Sequence, residues 1–294
     1  MSETPGPTTA EGTPDRLSAL RRVGGIALLG IVLTLFFVYL GFPYERLAEN
    51  VAAQVASRSE MTMRFGGAGP QLTWLGPGFE LEEVVLIPNR GQAIPLGDVV
   101  IRPAWSTSWF RGVPAAHIGV SSEPMEASLA IWLDSPMHIE GSIKEFNLVG
   151  LTQAGSLNRA DLKGFVELEF DLAGSGVDPW QGSVQIRAKN GSFTPPDLGT
   201  PIPFESFDSA VILPGDGFIQ VESARLDGPA LNASGQGRIA WTPEEGTGAL
   251  DFDFDLEILE PGLPAKLRIA KIPVDQAGKG KLRIGGTLAK PLFH

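Results

Sequence analysis

Not one cysteine occurs in the chain, which removes disulfide frameworks and thiolate metal sites from consideration. Histidine is nearly as scarce. His117, His138 and His294 stand far apart, without the close pairing that acid–base or metal chemistry uses, and read as surface or structural residues. A G-x-S-x-G elbow, a phosphate loop and a dinucleotide fingerprint are equally missing. The run "GGAG", Gly66–Gly69, lacks the lysine and the strand-to-helix setting of a phosphate loop and reads as a loop cluster. Positive charge is in deficit too, for the net charge is -11. Glu3, Glu11 and Asp15 cancel Arg16, Arg21 and Arg22, so the excess lies beyond residue 22. Phosphate backbones repel such a surface, which argues against a nucleic-acid partner, and anionic headgroups disfavour tight docking. No catalytic residue, metal or cofactor is assigned, and a non-enzymatic protein is expected.

Charge is absent altogether from residues 23–42, "VGGIALLGIVLTLFFVYLGF". At about 1.5 Å per residue this run reaches roughly 30 Å, the thickness of a bilayer's hydrocarbon core. Arg16, Arg21 and Arg22 precede it and should stay cytoplasmic, which sends residues 43–294 across the membrane. A cleaved signal peptide is the rival reading. The bulky "GFPYERLA" that follows offers no small-x-small cleavage site, and "VAA" at Val51–Ala53 lies too far downstream. Gly24, Gly25 and Gly30 either admit a close partner helix or are merely tolerated. Residues 1–22 read as a disordered cytoplasmic tail.

After the apolar run, Leu47, Val51 and Val55 recur every four residues, predicting one short amphipathic helix over 43–60. From Met61 onward glycine and proline punctuate runs of period two. One run places Val166, Leu168, Phe170 and Leu172 opposite Glu167, Glu169 and Asp171. Another sets Val184, Ile186 and Ala188 opposite Gln185 and Arg187, and a third sets Leu250, Phe252, Phe254 and Leu256 opposite Asp251, Asp253 and Asp255. Each predicts an antiparallel strand with one dry and one wet face. "KNGS", Lys189–Ser192, carries the Asn-Gly pair of a tight hairpin turn. "PPDLGTPIPFE", residues 195–205, is the best place for a break between two halves of one sheet. No repeat period is constant, so a long, curved meander over 61–294 is expected rather than a solenoid or propeller.

Two features tempt a functional reading. The acidic ladder Asp251, Asp253, Asp255 and Glu257 has side chains roughly 7 Å apart along a strand. It reads either as a Ca²⁺ site completed by loop oxygens or as a solvated outer face, and the second also explains Glu167, Glu169 and Asp171. Trp105, Trp109 and Phe110 form a partner-binding or headgroup patch, or pack in the sheet core.

Several stretches, in order, resemble the type II secretion system protein N family: "GFPYERLAENVAAQVA", "GDVVIRPAWSTSWFRG", "IEGSIKEFNLVGL" and "GFVELEFDLAGSGVDPWQGSVQIRAKNGSF". The closing "LRIGGTLAKPLF" fits as well, and the strand endings of the latter half resemble AsmA-type envelope proteins. The resemblance implies a mainly β protein of the bacterial inner membrane, single-pass, with its C-terminal domain in the periplasm. It also implies a role by contact with other secretion-system proteins of the inner membrane and periplasm. The AsmA-type likeness implies the alternative, a sheet that binds or conducts lipid acyl chains. Under either, the apolar face of Val166, Leu168, Phe170, Leu172, Val184, Ile186, Leu250, Phe252, Phe254 and Leu256 is the candidate site, as core, groove or partner surface.

Overall fold

The computed structural model describes residues 16–58, 61–73, 76–88, 93–104, 111–123, 125–148, 161–175, 179–194, 200–242, 247–264, 274–275, 277–287 and 290–293. Met1–Pro43 and Tyr44–His294 are two compact units. The first holds α1 (Arg16–Leu40). This helix takes in residues 16–22, which the sequence assigned to a tail, because "RLSALRR" is rich in helix formers and has no breaker. Residues 1–15 lie outside the described residues. Among the described residues no single helix is long and apolar enough to cross a membrane.

The second unit opens with α2 (Tyr44–Arg58), which starts one residue later than the predicted 43–60 and has Glu45 in its first turn facing the positive end of the helix dipole; residues 59–60 lie outside the described residues. Strands follow: β1 (Met61–Arg64), β2 (Gly67–Thr73), β3 (Gly76–Pro88), β4 (Ile94–Pro103), β5 (Ala115–Ser122), β6 (Met125–Trp132) and β7 (Met137–Asn147). The chain continues through β8 (Asp161–Gly174), β9 (Gln181–Thr194), β10 (Ile202–Pro214), β11 (Phe218–Asp227), β12 (Leu231–Thr242), β13 (Thr247–Ile258), β14 (Lys279–Thr287) and β15 (Lys290–Phe293). All fifteen belong to one antiparallel sheet in which successive strands are neighbours from β2 onward, and most of the described residues lie in strands. The expected mainly β meander is therefore the observed architecture. Its path is open, with β1 and β2 both on β3 at one edge and β15 on β14 at the other.

Three local expectations are corrected. "GGAG" is not a loop cluster, since Gly67–Gly69 begin β2. The pairs Arg64↔Val85 and Gly67↔Glu82 keep one register, so β1 and β2 are a single strand interrupted at Phe65–Gly66, opposite Glu83 with its φ of 51°. "KNGS" is not a hairpin turn either. It lies inside β9, where Asn190 has φ 51° and forms a bulge against β8 between the pairs Lys163↔Ser192 and Phe165↔Lys189. Asn tolerates a left-handed backbone, and a bulge uses that tolerance as readily as a turn does. Nor does the sheet break at 195–205. Residues 195–199 lie outside the described residues, but β9 and β10 pair without a register shift from Ile202↔Phe193 to Pro214↔Gln181.

A single-layer sheet must cover its apolar face with something. At the β1–β5 end α2 does so: Ala48 is fully buried, with Leu81, Val84 and Val99, and the Tyr44 and Phe79 rings lie 6.1 Å apart. The predicted stripe Leu47, Val51 and Val55 is only half-buried, because Ala48 has the small side chain that lets the helix approach closely. At the β12–β14 end the turn carrying Leu263 covers Leu231, Leu256 and Ile258, held by Leu259 N–H donating to the Ala230 carbonyl at 3.0 Å. Between them a third cluster, Val166, Ala188 and Phe204, has no such cover among the described residues.

Candidate functional site

Strand pairing decides which side chains share a face, because cross-strand partners point the same way. One row of partners runs Phe79, Ile101, Ile118, Leu129, Gly141, Phe170, Val184, Val211, Val221, Gly237, Phe252 and Ile284, from β3 to β14. The adjacent row runs Leu81, Val99, Val120, Ala127, Ile143, Leu168, Ile186, Ser209, Ala224, Gly235, Phe254 and Leu282 over the same strands. Ser209 alone in the two rows is polar. At a strand spacing near 4.8 Å the rows extend about 50 Å across the sheet.

In the middle of this face lies a cavity of about 710 Å³ with no polar atom in its lining. Val166 and Leu168 of β8 and Ile186 and Ala188 of β9 form part of its floor. Phe146, Phe193, Phe204 and Phe207 supply aromatic walls, with Leu226 of β11 on the far side. The lining residues come from the successive strands β7–β11 and the ends of their connections.

All ten predicted face residues fall on this side of the sheet. Val166, Leu168 and Ile186 line the cavity. Phe170, Leu172 and Val184 continue the face beside it. Leu250, Phe252, Phe254 and Leu256 lie further along, on β13, with Leu256 in the covered cluster and the rings of Phe252 and Phe254 stacked 5.9 Å apart. Phe193, Phe204 and Phe207 escaped sequence reading because the Asn190 bulge shifts the parity of β9, and β10 follows it. The signal was present in "PFESF", where Phe204 and Phe207 three apart break the alternation.

The opposite face carries the charge. Asp251 accepts from Arg283 at 2.9 Å and faces Arg238 at 3.8 Å, while Asp255 lies 3.8 Å from Lys281. Arg187 similarly reaches Glu169 at 3.3 Å and Asp208 at 4.0 Å. Much of the acidic ladder is thus the anionic half of exposed cross-strand ion pairs, and among the described residues no cluster of metal-ligating side chains occurs. Hydrogen-bonding to Asp251, together with that charge, raises the pKa of Arg283. Burial and then the charges of Asp98 and Glu82 raise that of Glu80. His117 meets Ser128 Oγ at 3.0 Å, and burial followed by Arg102 lowers its pKa. The His138 ring lies 4.9 Å from that of Trp132, inclined to it by 60°, and its Nε2 is 3.6 Å from Asp171. His294, Trp105, Trp109 and Phe110 lie outside the described residues.

Fold and site together define an open antiparallel meander with one charged face and one continuous apolar face that holds a hydrocarbon-lined cavity. No family model, curated protein or solved structure matches the chain.

Proposed function

We propose that this protein is a non-enzymatic, membrane-anchored envelope protein that binds lipid acyl chains in the apolar trough of its sheet. One observation carries the reading: among the described residues nothing covers the middle of a continuous apolar face, around a cavity whose described lining is wholly apolar. Exposed apolar patches of this kind mark binding sites. Moving a methylene from water into such a lining is worth about 0.8 kcal/mol. Roughly ten methylenes then contribute about 8 kcal/mol before ordering costs, enough for stable retention of a chain.

The apolar run 23–42 is the proposed anchor in the bacterial inner membrane, with Arg16, Arg21 and Arg22 on the cytoplasmic side and residues 43–294 in the periplasm. Supporting this, the part of α1 from residue 25 to 40 carries no charge on any side, with Ile26, Leu35 and Phe37 exposed.

The second reading is the one the sequence resemblance implies, a contact component of a type II secretion apparatus. The order of the quoted segments supports it, as does β15, which ends the sheet among the described residues and whose outer backbone groups suit strand addition by a partner. Mass spectrometry of organic extracts from the purified protein separates the two. Under the lipid reading a stoichiometric acyl lipid is recovered. An extract empty of lipid, together with crosslinks in the native membrane to secretion-system proteins, would return the second reading.

A further inference from the structure

The cavity owes its depth to small residues at its base. Ala188 lies there, buried, and two positions beyond it the Asn190 bulge brings Gly191 to the same face. Gly191 pairs across strands with Phe204, and the Phe204 ring lies over it. A methyl group on Gly191 would fall well inside contact distance of that ring and of the Lys163 carbonyl oxygen. Phe204 is itself a cavity wall and nearly buried. The ring therefore lies low only because the residue beneath it has no side chain.

Elsewhere on the face the same device recurs away from this cavity: Phe252 lies over Gly237, and Phe254 over Gly235. Laying a phenylalanine over a glycine is a general way to stabilise a sheet. What distinguishes Gly191 is that its partner ring bounds an open volume.

Resting on the acyl-binding reading above, we propose that the Gly191–Phe204 pair gauges the length of acyl chain this cavity accepts, which makes the two residues specificity-determining. The ligand class is a length-selected hydrocarbon tail whose headgroup stays outside, since the lining offers no hydrogen bond. Raising the Phe204 ring shortens the cavity, and trimming the ring lengthens it.

The test uses the full chain, delipidated in detergent and titrated with saturated fatty acids from decanoate to eicosanoate against a fluorescent fatty acid. In the wild type the dissociation constant should tighten about fourfold per added methylene until the cavity is full, then level off. Gly191→Ala should level off at a shorter chain, and Phe204→Leu at a longer one. Gly237→Ala is the control. It strains the sheet in the same way under Phe252, outside the cavity, and should keep the wild-type profile. Phe204→Leu introduces no clash, so the test stands even if Gly191→Ala fails to fold. Identical levelling points in the wild type, Gly191→Ala and Phe204→Leu would overturn the gauge while leaving acyl binding intact. A wild type that binds none of the acids would overturn the acyl-binding reading itself.

Discussion

At the scale of single residues, position on the sheet outweighs chemical type. Asp251 and Phe252 are neighbours in sequence, yet one sits among cross-strand cations and the other stacks on Phe254. Because those ion pairs are largely exposed, they contribute little to stability. His117 is a more sensitive reporter. Burial and the nearby Arg102 hold its folded pKa below the usual 6.5, so the folded state disfavours the charged ring. The unfolded chain then takes up the proton first. The stability contribution of neutral His117 is present above its unfolded pKa and is lost as pH falls through the folded value. His117→Gln should therefore show a smaller fall in denaturation midpoint than the wild type between about pH 7 and about pH 5. Equal pH profiles for the two proteins would show that His117 does not carry the effect.

Among the elements, α2 is the one whose role rests on a single small side chain. Ala48 is fully buried above Leu81 and Val84, the largest fully buried side chains among the described residues. A carboxylate there would lose its hydration without gaining a partner. Ala48→Asp should cost about 2–4 kcal/mol in denaturant unfolding and open the amides of α2 to hydrogen exchange. Ala53→Asp, on the exposed side of the same helix, should do neither. The helix was legible in sequence from its period, but its most buried residue, Ala48, was not. A four-residue repeat of Leu47, Val51 and Val55 marks a greasy stripe, whereas closest approach is set by the smallest residue beside it. Strands β8, β9 and β13 were legible for a simpler reason, since period two assigns each side chain to a face without knowledge of partners. Bulges defeat that rule, which is why Phe193, Phe204 and Phe207 were missed at the cavity.

For the whole molecule, the cavity at the centre of the apolar face has an energetic consequence. Anything that binds the folded trough and not the unfolded chain stabilises the fold by mass action. The protein carrying its proposed lipid should therefore unfold at a higher temperature than the delipidated protein. At a free ligand concentration about one hundred times Kd, the gain is about 2.7 kcal/mol. Scanning calorimetry before and after delipidation reads it directly, and coincident melting curves would count against an occupied trough. From residues 61–294 the sequence by itself determined a glycine-punctuated antiparallel meander with one charged and one apolar face, because alternation, turn residues and charge are local properties of the chain. Only the tertiary structure decided that the apolar rows of successive strands align from β3 to β14, that α2 and the Leu263 turn cover the two ends, and that a wholly apolar cavity lies between them. Register and bulge position depend on which residues meet across strands, and no single strand contains that information.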